Sequence, residues 1–333
     1  MSKQKYYHSL DFFRGVCGYG VAITHLHAFI FESQLMEYFS LLFVEFFFVL
    51  SGFVLYPQLL KTINNKKNII LFFKRRWMRT LPLYLIIIIL VSILTNNLFS
   101  NDFFKYLTFT QKFYPGFLTD DYYPVAWSLS IEEFFYILFP LILTCVNKGN
   151  FIKYTLILFL LLLISKIFFV KYFDSNFFRT GTLVRFDAIL FGFLIAHFKE
   201  NIIRFKKLVI FSFVSLLIIY ILKNNYFILH SELGHTKYLF IILLQVLSAL
   251  TMLLFIIHNR FFIGKKIKKL SLIVSRQTYS IYLMHILLIY ILKHYNLSFL
   301  ITNIIYFFSL IFLSSLIYNY IEKPILKLRP KLR

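Results

Sequence analysis

The side chains best suited to chemistry in this sequence lie in an apolar segment, residues 10–32. Arg14 and His25 are eleven residues apart, so on an α-helix they return to within about 20° of one face, about 16 Å apart along the axis. Ionisable groups inside a membrane cost about 2.5–3.5 kcal/mol each and are usually functional. The spacing therefore indicates a cation at one end of the face and a base or nucleophile at the other. The alternative is an Arg14 that extends to the membrane surface and a His25 that serves packing. His27 points to the opposite side and receives no shared role.

A pair of acidic residues, Glu132 and Glu133, interrupts a second apolar string, WSLSIEEFFYILFP. Adjacent residues on a helix differ by about 100°, so at most one of the two carboxylates faces a given neighbour. Counted inward from the predicted outer helix ends, Glu132 lies about 7 Å deep and His25 about 10 Å deep. A carboxylate at that depth could fix the tautomer of the His25 ring and raise its basicity. The alternative is a structural ion pair or hydrogen bond between helices.

Three arginines stand at the end of a basic connection, in the string FFKRRWMRTLPLY. Arg75 and Arg79, or Arg76 and Arg79, share a helical face that could bind the phosphate groups of a nucleotide. The alternative is a stop-transfer cluster that lies against anionic lipid headgroups.

Other polar side chains in the apolar segments are expected to have supporting or acceptor-side roles. They are Asp11, Glu45, Ser51, Trp127, Tyr136, Arg185, Asp187, Tyr282 and His285. Close helix packing is the favoured role for Ser51, and a lone histidine such as His285 is more often structural than catalytic. Arg185 and Asp187 could pair with each other or with a loop. The long connection 97–126 combines carboxylates with aromatic rings, which suits either a sugar site or an interfacial aromatic belt.

The elements that must position these residues are membrane-spanning helices. The chain has 333 residues, of which 59% are hydrophobic and 15% charged, with a mean hydropathy of +0.75. This composition predicts an all-α integral membrane protein, a bundle of about ten transmembrane helices in one membrane-embedded domain over residues 1–333, with no soluble accessory domain and no cleavable signal peptide. The ten apolar segments are 10–32, 39–60, 80–96, 127–146, 154–170, 183–199, 206–222, 238–257, 272–293 and 299–320.

The formal charge of +22 has a topological explanation. Most of the 36 Lys and Arg residues fall on one side of the predicted spans, which places both termini in the cytoplasm and argues against a nucleic-acid partner. Cys17 and Cys145 both lie in apolar segments, so no disulfide framework is expected. No Walker, zinc-finger or Rossmann spacing occurs, and we expect neither a bound metal nor a permanent cofactor.

Sorted by predicted depth, the polar groups form two sets. Arg14 and the three arginines lie at the inner face. The outer half holds His25, Glu45, Glu132, Arg185 and Asp187, with His285 as a further candidate. Coenzyme A has an anionic head and a long thin arm that matches, in order of magnitude, the rise of about 16 Å from Arg14 to His25.

Seven strings in order resemble the acyltransferase family 3 of multispan sugar O-acyltransferases. The resemblance covers residues 10 to 324 and rests on LDFFRG followed by His25, FFFVLSGF, FFKRRWMRTLPLY, WSLSIEEFFY, RFDAILFG, TYSIYLMH and IEKP. It implies a cytoplasmic acyl-CoA co-substrate, with acetyl as the expected acyl group, a hydroxyl acceptor on an extracytoplasmic or membrane-linked glycan, and residence in the bacterial cytoplasmic membrane.

The resemblance also implies roles for individual residues. Arg14 and His25 fall on the paired Arg and His positions of the family's first helix, and Glu132 falls on its acidic position. We therefore expect His25 and Glu132 to be catalytic, and Arg14 with the three arginines to bind acyl-CoA. One departure is Cys17, where a small residue such as alanine is more usual. We also expect no counterpart of the secreted domain that some relatives carry. The competing classes are a transporter or flippase of a glycan or acyl group, and a membrane scaffold.

Overall fold

The computed structural model describes residues 6–65, 67–295 and 297–331. All regular structure in these ranges is helical, which confirms the predicted all-α fold class. The α-helices are α1 (His8–Ile30), α2 (Gln34–Asn64), α3 (Asn68–Leu94), α4 (Asn101–Leu107), α5 (Trp127–Thr144), α6 (Phe151–Phe169), α7 (Ser175–Thr180), α8 (Phe186–Arg204), α9 (Lys206–Leu222), α10 (Asn224–Leu229), α11 (Gly234–Ile257), α12 (Lys265–Lys293), α13 (Phe299–Ile317) and α14 (Lys323–Lys327).

Within the described ranges, seven helices are long and apolar enough to cross a membrane: α2, α3, α5, α6, α11, α12 and α13. The protein is thus a multi-pass membrane protein, but a count of ten spans is not confirmed. The predicted segments 183–199 and 206–222 correspond to α8 and α9, which meet at a bend of 112° and make at most one further span. The first predicted segment, α1, is not among the seven, because Arg14, His25 and His27 lower its mean hydropathy.

The chain divides into two compact units, each of which is assembled from separate stretches of sequence. Unit 1 consists of Met1–Leu50, Phe198–Ile228 and Leu243–Tyr318, and unit 2 of Ser51–His197, Leu229–Ile242 and Asn319–Arg333.

In unit 1, α1 packs along α12, and α12 packs along α13. The small residues of α1 permit the first contact: a Cβ atom at Gly15 would lie 2.5 Å from Val274 Cγ2, and one at Gly18 would lie 2.7 Å from Thr278 Cγ2. Glycine at these positions lets two backbones approach more closely than any other residue would allow. The face of α1 that carries Gly15 and Gly18 therefore packs directly against α12.

In unit 2, close packing occurs where α2 meets α8. A Cβ atom at Gly52 would lie 1.8 Å from the carbonyl oxygen of Ile189, so only glycine fits there. This contact agrees with the small-residue packing expected for the neighbourhood of Ser51.

The connection 97–126, also in unit 2, is held together by its own hydrogen bonds. The buried Asp102 carboxylate accepts from Lys105 Nζ at 2.8 Å, from the backbone N–H groups of Thr119 and Asp120 at 3.1 and 2.8 Å, and from the Thr119 hydroxyl. Burial alone would raise the pKa of Asp102, but the hydrogen bonds from Lys105, Thr119 and Asp120 lower it to about 2. This carboxylate therefore has a structural role in the connection.

Candidate active site

The first polar cluster, in unit 1, joins two histidines from different helices. His25 Nδ1 on α1 lies 3.0 Å from His285 Nε2 on α12, and the two rings are nearly parallel, with centroids 5.2 Å apart. His285 is completely buried, whereas His25 is half-buried. The packing of α1 along α12 accounts for the contact, since both residues lie at the interface of the same helix pair.

The hydrogen bonds of His285 determine which nitrogen carries each proton. His285 Nδ1 lies 2.5 Å from the carbonyl oxygen of Tyr282, and because a carbonyl only accepts, Nδ1 must be the donor. In a neutral ring the other nitrogen, Nε2, then has no proton and accepts from His25 Nδ1–H. A neutral imidazole carries only one N–H group, so a His25 ring that is protonated on Nδ1 has its lone pair on Nε2. His285 thus holds His25 in the tautomer whose Nε2 can act as a base.

Two other predicted residues of unit 1 are buried. The ring of Tyr282 lies 5.6 Å from that of His285, and Glu45 is 2% exposed. His27, as expected from its position on the helix, has a different environment: its Nε2 lies 2.9 Å from Asn303 Oδ1 on α13.

The opposite end of α1 holds Asp11 and Arg14. The Asp11 carboxylate accepts from the Tyr6 hydroxyl at 2.6 Å and from the Ser275 hydroxyl at 3.2 Å. Burial and the hydrogen bond to Asp11 raise the pKa of Tyr6 to about 12, although the charges of Arg14 and Arg276 oppose this. Tyr6 therefore remains a donor at neutral pH and, with Ser275, orients the carboxylate beside Arg14.

The second polar cluster, in unit 2, brings together four of the predicted residues. The Tyr136 hydroxyl donates to Glu132 Oε2 at 2.8 Å and lies 2.8 Å from Ser51 Oγ. The guanidinium carbon of Arg76 lies 5.0 Å from the centre of the Tyr136 ring, which is a cation–π distance. Ser51 is therefore part of a polar network as well as a neighbour of the packed Gly52.

Glu133 has different partners from Glu132, as the angle of about 100° between adjacent helical residues requires. It is 3% exposed, and the side chains of Thr80 and Trp77 on α3 are its hydrogen-bonding neighbours. Trp127, the first residue of α5, is half-buried.

A third group in unit 2 contains Arg185 and Asp187, which were expected to pair with each other or with a loop. The nearer partner of Asp187 is Lys166 on α6, whose Nζ lies 2.5 Å from Asp187 Oδ2, whereas Arg185 Nε is 4.0 Å from Oδ1. All three side chains are buried. We did not select Lys166 from the sequence, although a lysine in a long apolar run is a signal that could have found it.

The structure thus brings His25 together with His285, and Glu132 with Ser51, Tyr136 and Arg76. The pairing of Glu132 with His25 that we predicted from depth stays a prediction, because the two residues belong to different units. The contact between His25 and His285 was missed, although the presence of both in the outer half of the predicted spans could have suggested it.

Comparison with known proteins gives the chain a family. The acyltransferase domain model of family 3 matches residues 7–319. A Staphylococcus aureus (strain COL) protein named "putative O-acetyltransferase" is 28% identical over 98% of this chain and 58% of its own length. The O-acetyltransferase OatA of Staphylococcus aureus (strain NCTC 8325 / PS 47) is 24% identical over the same shares.

An uncharacterized protein of Haemophilus influenzae is 30% identical over 55% of this chain and 88% of its own length. The chain spans 58% of the length of the two staphylococcal relatives. No solved structure matches it. The family model covers nearly the whole chain, and the seven sequence strings that carry the resemblance fall in or next to the matched range. This protein therefore belongs to the acyltransferase family 3.

Proposed function

We propose that this protein is a membrane-bound O-acyltransferase of the bacterial cytoplasmic membrane. It transfers an acyl group, with acetyl as the expected one, from cytoplasmic acyl-CoA to a hydroxyl of an extracytoplasmic or membrane-linked glycan. Membership in the family and the names of the staphylococcal relatives support the reaction type. The asymmetric distribution of Lys and Arg supports cytoplasmic termini and donor entry from that side.

The observation that carries the proposal is the hydrogen-bonded chain from the Tyr282 carbonyl through His285 to His25. In the proposed step, His25 Nε2 takes the proton of the acceptor hydroxyl as its oxygen attacks the thioester carbonyl. The new C–O bond forms, the C–S bond breaks, and the proton passes from His25 to the coenzyme A sulfur. A positioned general base of this kind contributes about 10²- to 10⁴-fold to a rate.

The other predicted residues take roles that follow from their charge. Arg14 binds the pantetheine or phosphate end of the donor, and Arg75, Arg76 and Arg79 bind its nucleotide phosphates. His285 orients His25 and sets its tautomer, which adds a second residue to the orienting role predicted for Glu132. For Glu132, orientation of His25 stays a prediction.

The test is thiol release from acetyl-CoA by purified protein with a glycan acceptor. We expect wild-type protein to release coenzyme A and His25→Ala to lose at least about 100-fold in rate, with unchanged insertion into the membrane. A transporter or flippase leaves the thioester intact in both proteins. Full activity of His25→Ala would remove His25 from the reaction.

A further inference from the structure

The most unusual electrostatic feature of unit 2 is a group of four arginines, Arg75, Arg76, Arg79 and Arg329, which we call the arginine cluster. Three of its members are on α3, and Arg329 is in the segment that follows α14. Arg75 Nη1 donates a hydrogen bond to the carbonyl oxygen of Pro330, and α14 packs against α3. These contacts bring Arg329 to the arginines of α3 although about 250 residues separate them in sequence.

Several donors of this cluster are buried without an acceptor. In the part of the chain that the structure describes, Arg75 Nε, Arg76 Nε, Arg76 Nη2 and Arg329 Nε have no hydrogen-bond partner. Arg76 is only 8% exposed. A buried charged donor without a partner costs more than an ordinary unmade hydrogen bond, about 1–3 kcal/mol or above.

The charges of the cluster also repel one another. Burial, together with the charges of Arg75, Arg76 and Arg79, lowers the pKa of Arg329 to about 9. The negative charges of Glu132 and Glu133 attract the Arg76 guanidinium. Among the described residues, however, no carboxylate forms an ion pair with a member of the cluster. A group of cations that repel one another and retain unused donors is suited to an anion of more than one charge.

We propose that Arg329 completes a phosphate-binding site with Arg75, Arg76 and Arg79. The ligand is a phosphate monoester or diphosphate, whose oxygens match the planar fork of a guanidinium in charge and geometry. Arg329 lies beyond residues 7–319, the range that the family model matches, whereas the other three arginines lie within that range. The inference deepens the proposed function, since the phosphates of the acyl-CoA donor are the first candidate source.

Two sources could supply the same chemistry: the donor nucleotide and an anionic lipid headgroup. We would measure the binding of coenzyme A, of dephospho-coenzyme A and of pyrophosphate to the full chain in phosphatidylcholine nanodiscs by calorimetry. A parallel arm follows the melting temperature of the ligand-free protein in nanodiscs with and without phosphatidylglycerol. The variant is Arg329→Gln, and the matched control is Lys327→Gln, which removes the same charge from an exposed side chain of α14.

We expect Arg329→Gln to weaken coenzyme A binding by about tenfold or more, with Lys327→Gln near wild type. An equal loss for dephospho-coenzyme A assigns Arg329 to the diphosphate, and a loss confined to coenzyme A assigns it to the 3′-phosphate. Without ligand, Arg329→Gln should melt at a higher temperature than wild type, because it removes a repulsion. If Arg329 had a purely structural role, Arg329→Gln would melt at a lower temperature than wild type. Arg329→Lys keeps the charge but loses the planar fork, and it should give an intermediate affinity.

The outcomes separate this inference from the proposed function. Unchanged binding of every probe by Arg329→Gln, while wild type binds coenzyme A, overturns the phosphate site and leaves the proposed function intact. If wild type binds pyrophosphate or responds to phosphatidylglycerol through Arg329 but does not bind coenzyme A, the phosphate site holds and the proposed donor is wrong.

Discussion

Replacement of His285 tests the hydrogen-bonded chain that is proposed to make His25 a base. His285→Ala removes the acceptor of His25 Nδ1–H, which lies 3.0 Å from His285 Nε2. His285→Gln is the informative partner variant, because its side-chain amide oxygen can reach the position of Nε2 and still accept a hydrogen bond from His25 Nδ1–H. His27→Ala is the matched control: it removes a histidine from the same helix whose partner is Asn303.

The expected size of the effect follows from the lost hydrogen bond. A buried donor that loses its partner costs about 1–3 kcal/mol, and if this cost falls on the transition state it lowers kcat by about 5- to 150-fold. His285→Ala should therefore lose less activity than His25→Ala, which removes the base itself. KM for acetyl-CoA should change by less than about twofold, since His285 is not assigned to donor binding.

The assay is the initial rate of thiol release per folded molecule, with folding checked by melting temperature. Nitrogen-15 NMR of histidine-labelled protein reports the protonated nitrogen directly, and we expect Nδ1–H in both rings of the pair. The reasoning is refuted if His285→Ala and His285→Gln both keep wild-type kcat, or if the spectrum shows His25 protonated at Nε2 and not at Nδ1. A merely structural His285 would lower the melting temperature of both variants and leave kcat unchanged.

Three further predictions concern stability. The pKa of Asp102 is depressed from 3.8 to about 2, so its contribution of about 2 kcal/mol is complete above pH 4 and disappears as the pH falls toward 2. The melting temperature of wild type should fall as the pH is lowered through this window. The melting temperature of Asp102→Asn should fall less over the same window, because the variant has no carboxylate at this position. Lys166→Met leaves the Asp187 carboxylate buried without its nearest cation and should lower the free energy of unfolding by about 3–5 kcal/mol. The double variant Lys166→Met with Asp187→Leu should recover much of that stability. An equal loss of stability in the single and the double variant would contradict the pairing. Gly52→Ala should destabilise by about 1–3 kcal/mol, while Gly149→Ala, with open space around it, should be near neutral in the same melting assay.

The position of the helices could be predicted from the sequence because apolar segments of membrane-spanning length must satisfy their backbone hydrogen bonds internally. Helical periodicity also placed Arg14 and His25 on one face and separated His27 from it. The ten-span count is not confirmed at α8 and α9, because a bend of 112° between two apolar helices leaves no signal in hydropathy.

The family could be identified from the sequence alone, since seven ordered strings are specific to it. The neighbours of each helix could not be identified in this way, because periodicity gives the face and depth of a side chain but not the helix that it contacts. His25 and His285 are 260 residues apart, and Lys166 and Asp187 lie on different helices.

What the sequence by itself determined, then, is the membrane class, the family and the helical face on which each ionisable group lies. Only the tertiary structure decided which of these groups share a hydrogen bond: α1 against α12 joins the two histidines, and α14 against α3 brings Arg329 to three other cations. The physical reason is that tautomer, charge and anion affinity depend on contacts of a few ångströms between distant parts of the chain, and packing alone sets those distances.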